Sequence, residues 1–129
     1  MKTVLAAIIE KDGKYLIARR APGENMSGKW EFPGGKLETG ESHQECLARE
    51  LFEEFGIRSV IGDFFGESVY RYGYGDIRLL AYRVISFIGE FVPVVHNDLR
   101  WVLPQEMKDY DFTPADLPFV NLIRALNTD

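Results

Sequence analysis

The 129 residues contain a single cysteine, Cys46. No disulfide can close within the chain, which fits a reducing compartment. Set in an apolar helical stretch, Cys46 reads as a small core-facing residue rather than a nucleophile. Long hydrophobic runs are missing as well. The N-terminal run Val4 to Ile9 is too short for a secretory signal core with its flanks, and nothing reaches the roughly 20 apolar residues of a membrane span. A cytoplasmic protein without membrane attachment is expected. A basic surplus is also lacking: 15 Lys and Arg against 20 Asp and Glu leave a net charge of −5. A nucleic acid would be repelled overall, so no nucleic-acid partner is expected. A small triphosphate remains compatible if metal and local cations neutralise it. Repeats, linkers and low-complexity segments are absent too, so residues 1–129 read as one domain, whether monomer or homodimer.

Against these absences, 46 % apolar and 13 % aromatic residues argue for a packed core. The chain alternates strand and turn signals. Thr3 to Glu10 and Tyr15 to Arg19 flank Asp12-Gly13 as a hairpin. Ala21 to Lys29 reads as loop, Trp30 to Phe32 as a short strand, and Pro33-Gly34-Gly35 as a sharp turn. Ser59 to Tyr72 and Ile77 to Phe87 pair through Gly73 to Asp76. Phe91 to Val95 and Trp101 to Leu103 are further strand candidates, with Pro93 marking an edge or bulge. Pro104 opens a short helix to about Tyr110. A last helix is expected from Thr113 as N-cap, through Pro114, to Leu126. The pattern by itself is α+β, with a mixed sheet covered on both faces by helices.

The most informative stretch is residues 35–57. Ser42 with Glu45 three residues later forms a capping box, and Gly56 supplies a left-handed stop. Between them Leu47, Ala48, Leu51, Phe52 and Phe55 build one apolar side. Beside it Glu50, Glu53 and Glu54 stand at i, i+3 and i+4. Like charges at this spacing cost about 0.2–0.5 kcal/mol per pair, and more where the local dielectric falls. A divalent cation would convert the repulsion to attraction, and carboxylate oxygens are what Mg²⁺ prefers. The ordinary alternative is a solvated acidic helix face.

Context favours the cation. Gly35, five residues, Glu41, seven residues, Arg49-Glu50, Leu51, one residue, Glu53-Glu54, one residue, Gly56 and Ile57 match the Nudix box at every defined position. Seven fixed letters at about 5–7 % usage each give a chance match of order 10⁻⁸ to 10⁻⁹ per starting position. The chain therefore resembles a Nudix hydrolase. Its flanks extend the likeness to MutT-type nucleoside triphosphate pyrophosphohydrolases, which implies an α/β/α sandwich around a mixed β-sheet.

That resemblance assigns roles residue by residue. Glu50, Glu53 and Glu54 become metal carboxylates, with the Gly34 carbonyl beside them and Mg²⁺, or alternatively Mn²⁺, as the ion. Glu41 supports the helix and the metal shell. Arg49 orients a catalytic glutamate; by spacing alone it is a helix-face ion pair with Glu45 or Glu53. Glu53 is assigned as general base, although the residues alone do not separate it from Glu50 or Glu54. The segment Glu31-Phe32-Pro33-Gly34-Gly35-Lys36, preceded by Arg19-Arg20, resembles the MutT-type entrance, so Arg20, Phe32, Gly35 and Lys36 are expected to meet substrate. Arg20 and Lys36 serve as phosphate cations, or else are surface charges.

Two departures stand out. Asn25 occupies an entrance-loop position where the pattern-setting member carries histidine. Val95 stands where many relatives carry an extra glutamate, followed by His96, Asn97 and Asp98. Asp98 either substitutes for that glutamate or is an ordinary loop acid, and His96 reads as a loop histidine. Pro114-Ala115-Asp116 aligns with the base-reading segment. An ionised carboxylate there suits the exocyclic amine of cytosine, and a protonated one a purine. The competing role for Asp116 is a helix N-terminal cap.

The implied activity is Mg²⁺-dependent hydrolysis of a nucleoside triphosphate to monophosphate and pyrophosphate, on CTP, dCTP or oxidised nucleotides, in nucleotide-pool sanitation that spares DNA from repair. The alternatives are a Nudix hydrolase acting on another diphosphate, or a non-catalytic nucleotide-sensing Nudix domain. The intact box carboxylates argue against the last.

Overall fold

The structure, a computed structural model, describes residues 1–93 and 96–127, except the side chains of residues 96 and 97. Two sheets carry the strands. The first has the order β5-β1-β7-β6, built from β1 (Lys2–Ile8), β5 (Gly34–Lys36), β6 (Arg58–Tyr72) and β7 (Gly75–Ile88). It is mixed: β1 runs parallel to β7 and antiparallel to β5, and β6 with β7 forms a long antiparallel hairpin. The second is antiparallel. In it β3 (Lys14–Arg20) pairs with β2 (Glu10–Lys11), β4 (Trp30–Glu31) and β8 (His96–Val102). The β2–β3 turn is the expected two-residue one, with Asp12 at φ 53° and Gly13 at φ 78°, as a type I′ turn requires.

Strand alternation explains the layers. Leu5, Ala7 and Ile9 point to one face of the first sheet, where Leu47, Leu51 and Phe55 of α1 (His43–Phe55) cover them. Ala6 and Ile8 point to the other, where Phe119, Val120 and Ile123 of α2 (Leu117–Leu126) join Phe32 and Leu79. Helices on both faces give the α/β/α sandwich that the family resemblance implied. The α1 ends follow local signals. The Ser42 hydroxyl accepts from the Glu45 N–H at 3.0 Å, the Glu45 carboxylate accepts from the Ser42 N–H at 2.8 Å, and Gly56 stops the helix at φ 75°. No helix among the described residues is long and apolar enough to cross a membrane.

Several elements differ from the sequence expectation. Gly34–Lys36 is a strand on β1, not a turn, because its pairing partner lies about thirty residues back in the chain. Residues 91–93 are irregular, and the Val92 N–H donates to the Phe55 carbonyl at 3.1 Å. The rest of the strand expected there, and Val95 itself, lie outside the described residues. The strand holding Trp101 begins earlier, at His96, since β3 offers it a partner along its whole length. Residues 104–109 form a 3₁₀ helix. The last helix starts at Leu117, so Thr113 is not its N-cap.

Candidate active site

Backbone pairing places the site. Gly34 and Gly35 on β5 lie opposite Ala6 and Leu5 of β1, and α1 crosses behind them. Gly35 leaves room for an acid: a Cβ built there would fall 2.2 Å from Cδ of Glu50. Only glycine lets that carboxyl press against the strand. One turn further along α1, Glu54 is half-buried, and its Oε2, itself shielded from solvent, has no hydrogen-bond partner. Burial, reinforced by the neighbouring Glu50, pushes the Glu54 carboxyl up to about 9.

Arg49 ties the acids together. Its Nε and Nη2 donate to both oxygens of Glu41, at 2.6 and 3.0 Å, and its Nη1 donates to Glu50 and Glu53, each at 2.8 Å. Nη2 also donates to the Lys36 carbonyl at 3.3 Å. These bonds hold the Glu41 carboxyl down at about 2 and push the guanidinium of Arg49 upward. The expected partner Glu45 is taken by the capping box instead. Cys46 is buried beneath the same strand, its Sγ 3.5 Å from the Lys36 carbonyl; burial pushes the thiol up to about 12, the behaviour of a core residue.

The donor set suits a hard divalent cation. Two adjacent half-buried carboxyls, Glu50 and Glu54, face one another, and one oxygen of Glu54 is orphaned. Such a group is stabilised by an ion that takes oxygen ligands. Glu53 is half exposed and engaged by Arg49. Among the described residues no three acidic, histidine or cysteine side chains already converge as a ligand cluster. Asp98 pairs with Arg100 at 3.0 Å and Arg19 at 3.9 Å on the second sheet. The side chain of His96 lies outside the described residues.

In front of these acids opens a cleft of about 410 Å³. Gly34, Gly35, Lys36 and Glu54 line it, together with Thr113, Asp116, Tyr72, Tyr74, Arg20, Glu31 and Phe32. The cleft thus gathers all five residues expected to meet substrate, while Glu41, Arg49, Glu50 and Glu53 stand outside its lining. Arg20 is engaged by the protein: it donates to Glu31 at 2.9 Å, Glu24 at 3.3 Å and the Asn25 carbonyl at 2.5 Å.

The part of the cleft around Asp116 is assembled by a bridge. Trp30 donates to the Asp111 carbonyl and accepts from the Thr113 N–H, both at 2.9 Å. This carries residues 113–116 onto β4. The carboxyl of Asp116 does not cap α2. Its Oδ1 accepts from the Phe32 N–H at 3.1 Å, and its Oδ2 accepts from the Thr113 hydroxyl. Asp116 is 4 % exposed. Burial, with Glu31 nearby, pushes it up to about 7, against the hydrogen bonds from Thr113 and Phe32. Sequence reasoning missed Thr113, Tyr72, Tyr74 and Glu31 as cleft residues. The tyrosines flank a hairpin turn and stack on one another at 5.1 Å; their clustering around Gly73 was the one available signal.

Comparison with known proteins agrees with this geometry. The NUDIX domain pattern matches residues 1–123. The chain is 40 % identical over 126 residues to the CTP pyrophosphohydrolase of Escherichia coli K12, covering 98 % of this chain and 93 % of that one. It is 30 % identical over 125 residues to the 8-oxo-dGTP diphosphatase of Haemophilus influenzae, covering 96 % and 90 %. The solution structure of the E. coli ORF135 protein superposes with a TM-score of 0.88 at 39 % identity, covering 99 % of this chain and 91 % of that one. A box of carboxylates on a capped helix, the sandwich around it and a match along nearly the whole chain carry one conclusion: the chain belongs to the Nudix family.

Proposed function

We propose that the chain hydrolyses a nucleoside triphosphate to the monophosphate and pyrophosphate, with Mg²⁺ as the ion, Mn²⁺ replacing it, and cytosine or oxidised nucleotides as preferred bases. One observation supports this above others. One cleft is lined both by Glu54, with its orphaned carboxyl oxygen, and by the buried carboxyl of Asp116. An enzyme that must hold a charged polyphosphate and read a base needs both kinds of group in one cleft.

In this reading Glu50, Glu53 and Glu54, with the Gly34 carbonyl, would hold the cation, which when bound neutralises phosphate oxygens and acidifies water. Water attacks phosphorus of the diphosphate linkage, and Glu53, oriented by Arg49 at 2.8 Å, accepts its proton. Glu41 fixes Arg49 from the far side. Lys36 and Arg20 face the phosphates; Arg20 exchanges its bonds to Glu24 and the Asn25 carbonyl for phosphate oxygens, while Glu31 keeps the guanidinium in plane. Phe32 and Gly35 form the wall along which the nucleotide lies. Asp116 accepts from the exocyclic amine of the base. The E. coli relative is a CTP pyrophosphohydrolase and the H. influenzae relative an 8-oxo-dGTP diphosphatase, and both support a nucleotide substrate; removal of such nucleotides from the pool would be the cellular task.

The test is a panel of nucleoside triphosphates with Mg²⁺, scored for pyrophosphate release. Turnover of CTP or an oxidised nucleotide above the ordinary purine triphosphates is expected. Equal rates on every base would defeat the assignment of Asp116, and turnover confined to nucleotide sugars or dinucleoside polyphosphates would replace the substrate class.

A further inference from the structure

We infer that Lys2 joins Lys36 as a second phosphate-binding cation of the cleft, the two ammonium groups closing on one anionic group of the substrate. The inference rests on the proposed nucleotide hydrolysis and adds to it a binding residue that lies outside every motif of the chain.

Strand register puts the two lysines side by side. Side chains on a strand alternate between its faces. Val4 packs with the core on the α2 side of the first sheet and Leu5 with the core on the α1 side. Lys2, two residues before Val4, therefore stands on the α2 side. Lys36 is the direct partner of Val4 in the antiparallel β1–β5 ladder and shares its face. The Leu37 N–H donates to the Thr3 carbonyl at 3.1 Å and carries that ladder one step further towards Lys2. Lys2 and Lys36 are thus diagonal neighbours on adjacent strands, a spacing of about 7–8 Å across which long side chains meet. Both line the cleft, and both are exposed.

Their charge is also unopposed. The cations that line the cleft are Lys2, Arg20 and Lys36. Arg20 is held by Glu31 at 2.9 Å and by Glu24 at 3.3 Å. Among the described residues neither lysine pairs with a carboxylate. Two like charges brought together on a cleft wall repel, and more strongly as a ligand displaces the water around them. A phosphate group between them turns both interactions attractive and offers oxygens to both ammonium groups. A carbonyl of the base would engage one lysine and leave the repulsion in place, so the pair favours the polyphosphate over the base as its ligand.

The experiment uses the whole protein with K2Q, K2R, K36Q and the K2Q/K36Q pair. In steady-state pyrophosphate release with Mg²⁺, K2Q is expected to raise KM about tenfold, the low end for a bond between charged partners because Lys2 is exposed. Its kcat should stay within about twofold of wild type, as for a contact equally strong in ground and transition states. A phosphate contact is blind to the base, so the rise should be the same for every triphosphate the wild type hydrolyses. K2R is expected to keep most of the affinity. With one anion shared between the lysines, the loss in K2Q/K36Q should fall short of the product of the single losses. Calorimetric titration with inorganic pyrophosphate and Mg²⁺ reads the same site without base or turnover, and its Kd should rise in K2Q by a similar factor. An unchanged KM in K2Q, a rise confined to one base, a K2R as impaired as K2Q, or losses that simply multiply would each overturn the inference and leave triphosphate hydrolysis standing. So would a pyrophosphate Kd that K2Q does not alter, or a wild type that binds no pyrophosphate. A wild type that hydrolyses no triphosphate overturns the proposed hydrolysis instead, and the pyrophosphate titration then decides for or against the lysine pair by itself.

Discussion

Glu54 is the residue whose surroundings least resemble a surface acid. It sits half-buried beside Glu50 with a solvent-shielded oxygen that no protein group satisfies. Glutamine at this position keeps shape and polarity while removing the charge an ion needs. Glu54→Gln is expected to lower kcat by about 100- to 1,000-fold and to leave the thermal midpoint equal or higher. Steady-state kinetics and a melt on the same sample check both. Wild-type turnover in the variant would remove Glu54 from the metal group.

Gly35→Ala tests its neighbour. The three atoms nearest the added methyl are Cδ, Oε2 and Cγ of the Glu50 side chain, so the fold should survive while Glu50 shifts. A displacement on this scale is expected to cost about 100-fold in turnover, measurable beside an unaltered circular dichroism spectrum. Spacing alone put Glu50, Glu53 and Glu54 on one ridge. It could not tell that Glu54 would be enclosed and Glu53 left half in solvent, because that depends on which flank of α1 the sheet covers.

At the level of elements, legibility followed the range of the interactions. Helix α1 was readable to the residue because both its ends are held by neighbours three or four positions away. Ser42→Ala removes one of those bonds. It is expected to cost about 1 kcal/mol, or a fall of about 3–5 °C in midpoint for a domain of this size, read by differential scanning calorimetry.

Strand β5 was not readable, since three residues with two glycines look like a turn until β1 is laid beside them. Gly34→Ala makes the point quantitative. Its Cβ would lie 1.8 Å from the Leu5 carbonyl oxygen, a backbone atom that cannot swing aside. The β1–β5 pairing must open, and the variant should be destabilised well beyond Ser42→Ala in the same calorimetric series. The start of α2 was misplaced for a related reason. Thr-Pro has the look of a helix entry, but here the threonine hydroxyl bonds Asp116, and Asp116 reaches Phe32 across the fold. Long-range partners outbid the local cap, and no local pattern records them.

For the molecule as a whole, buried Asp116 and half-buried Glu54 link stability to pH in a direction opposite to the usual carboxylate. Asp116 is raised from 3.8 to about 7 and Glu54 from 4.5 to about 9. The folded state therefore holds these protons where the unfolded chain has released them, and stability falls as pH rises through each interval. With EDTA present, the midpoint is expected to decline from about pH 4 upward. Asp116→Asn should flatten the portion below about pH 7, and Glu54→Gln the portion continuing to about pH 9. A divalent cation reverses the second effect, because it binds the ionised carboxyls of the folded state alone. At 100 times its dissociation constant such an ion adds about 2.7 kcal/mol. The difference in midpoint between Mg²⁺ and EDTA should thus widen between pH 5 and pH 9 and nearly vanish in Glu54→Gln. Melts that are insensitive to Mg²⁺ across that range, with the wild-type acids intact, would separate Glu54 from metal binding and return the helix ridge to an ordinary acidic surface.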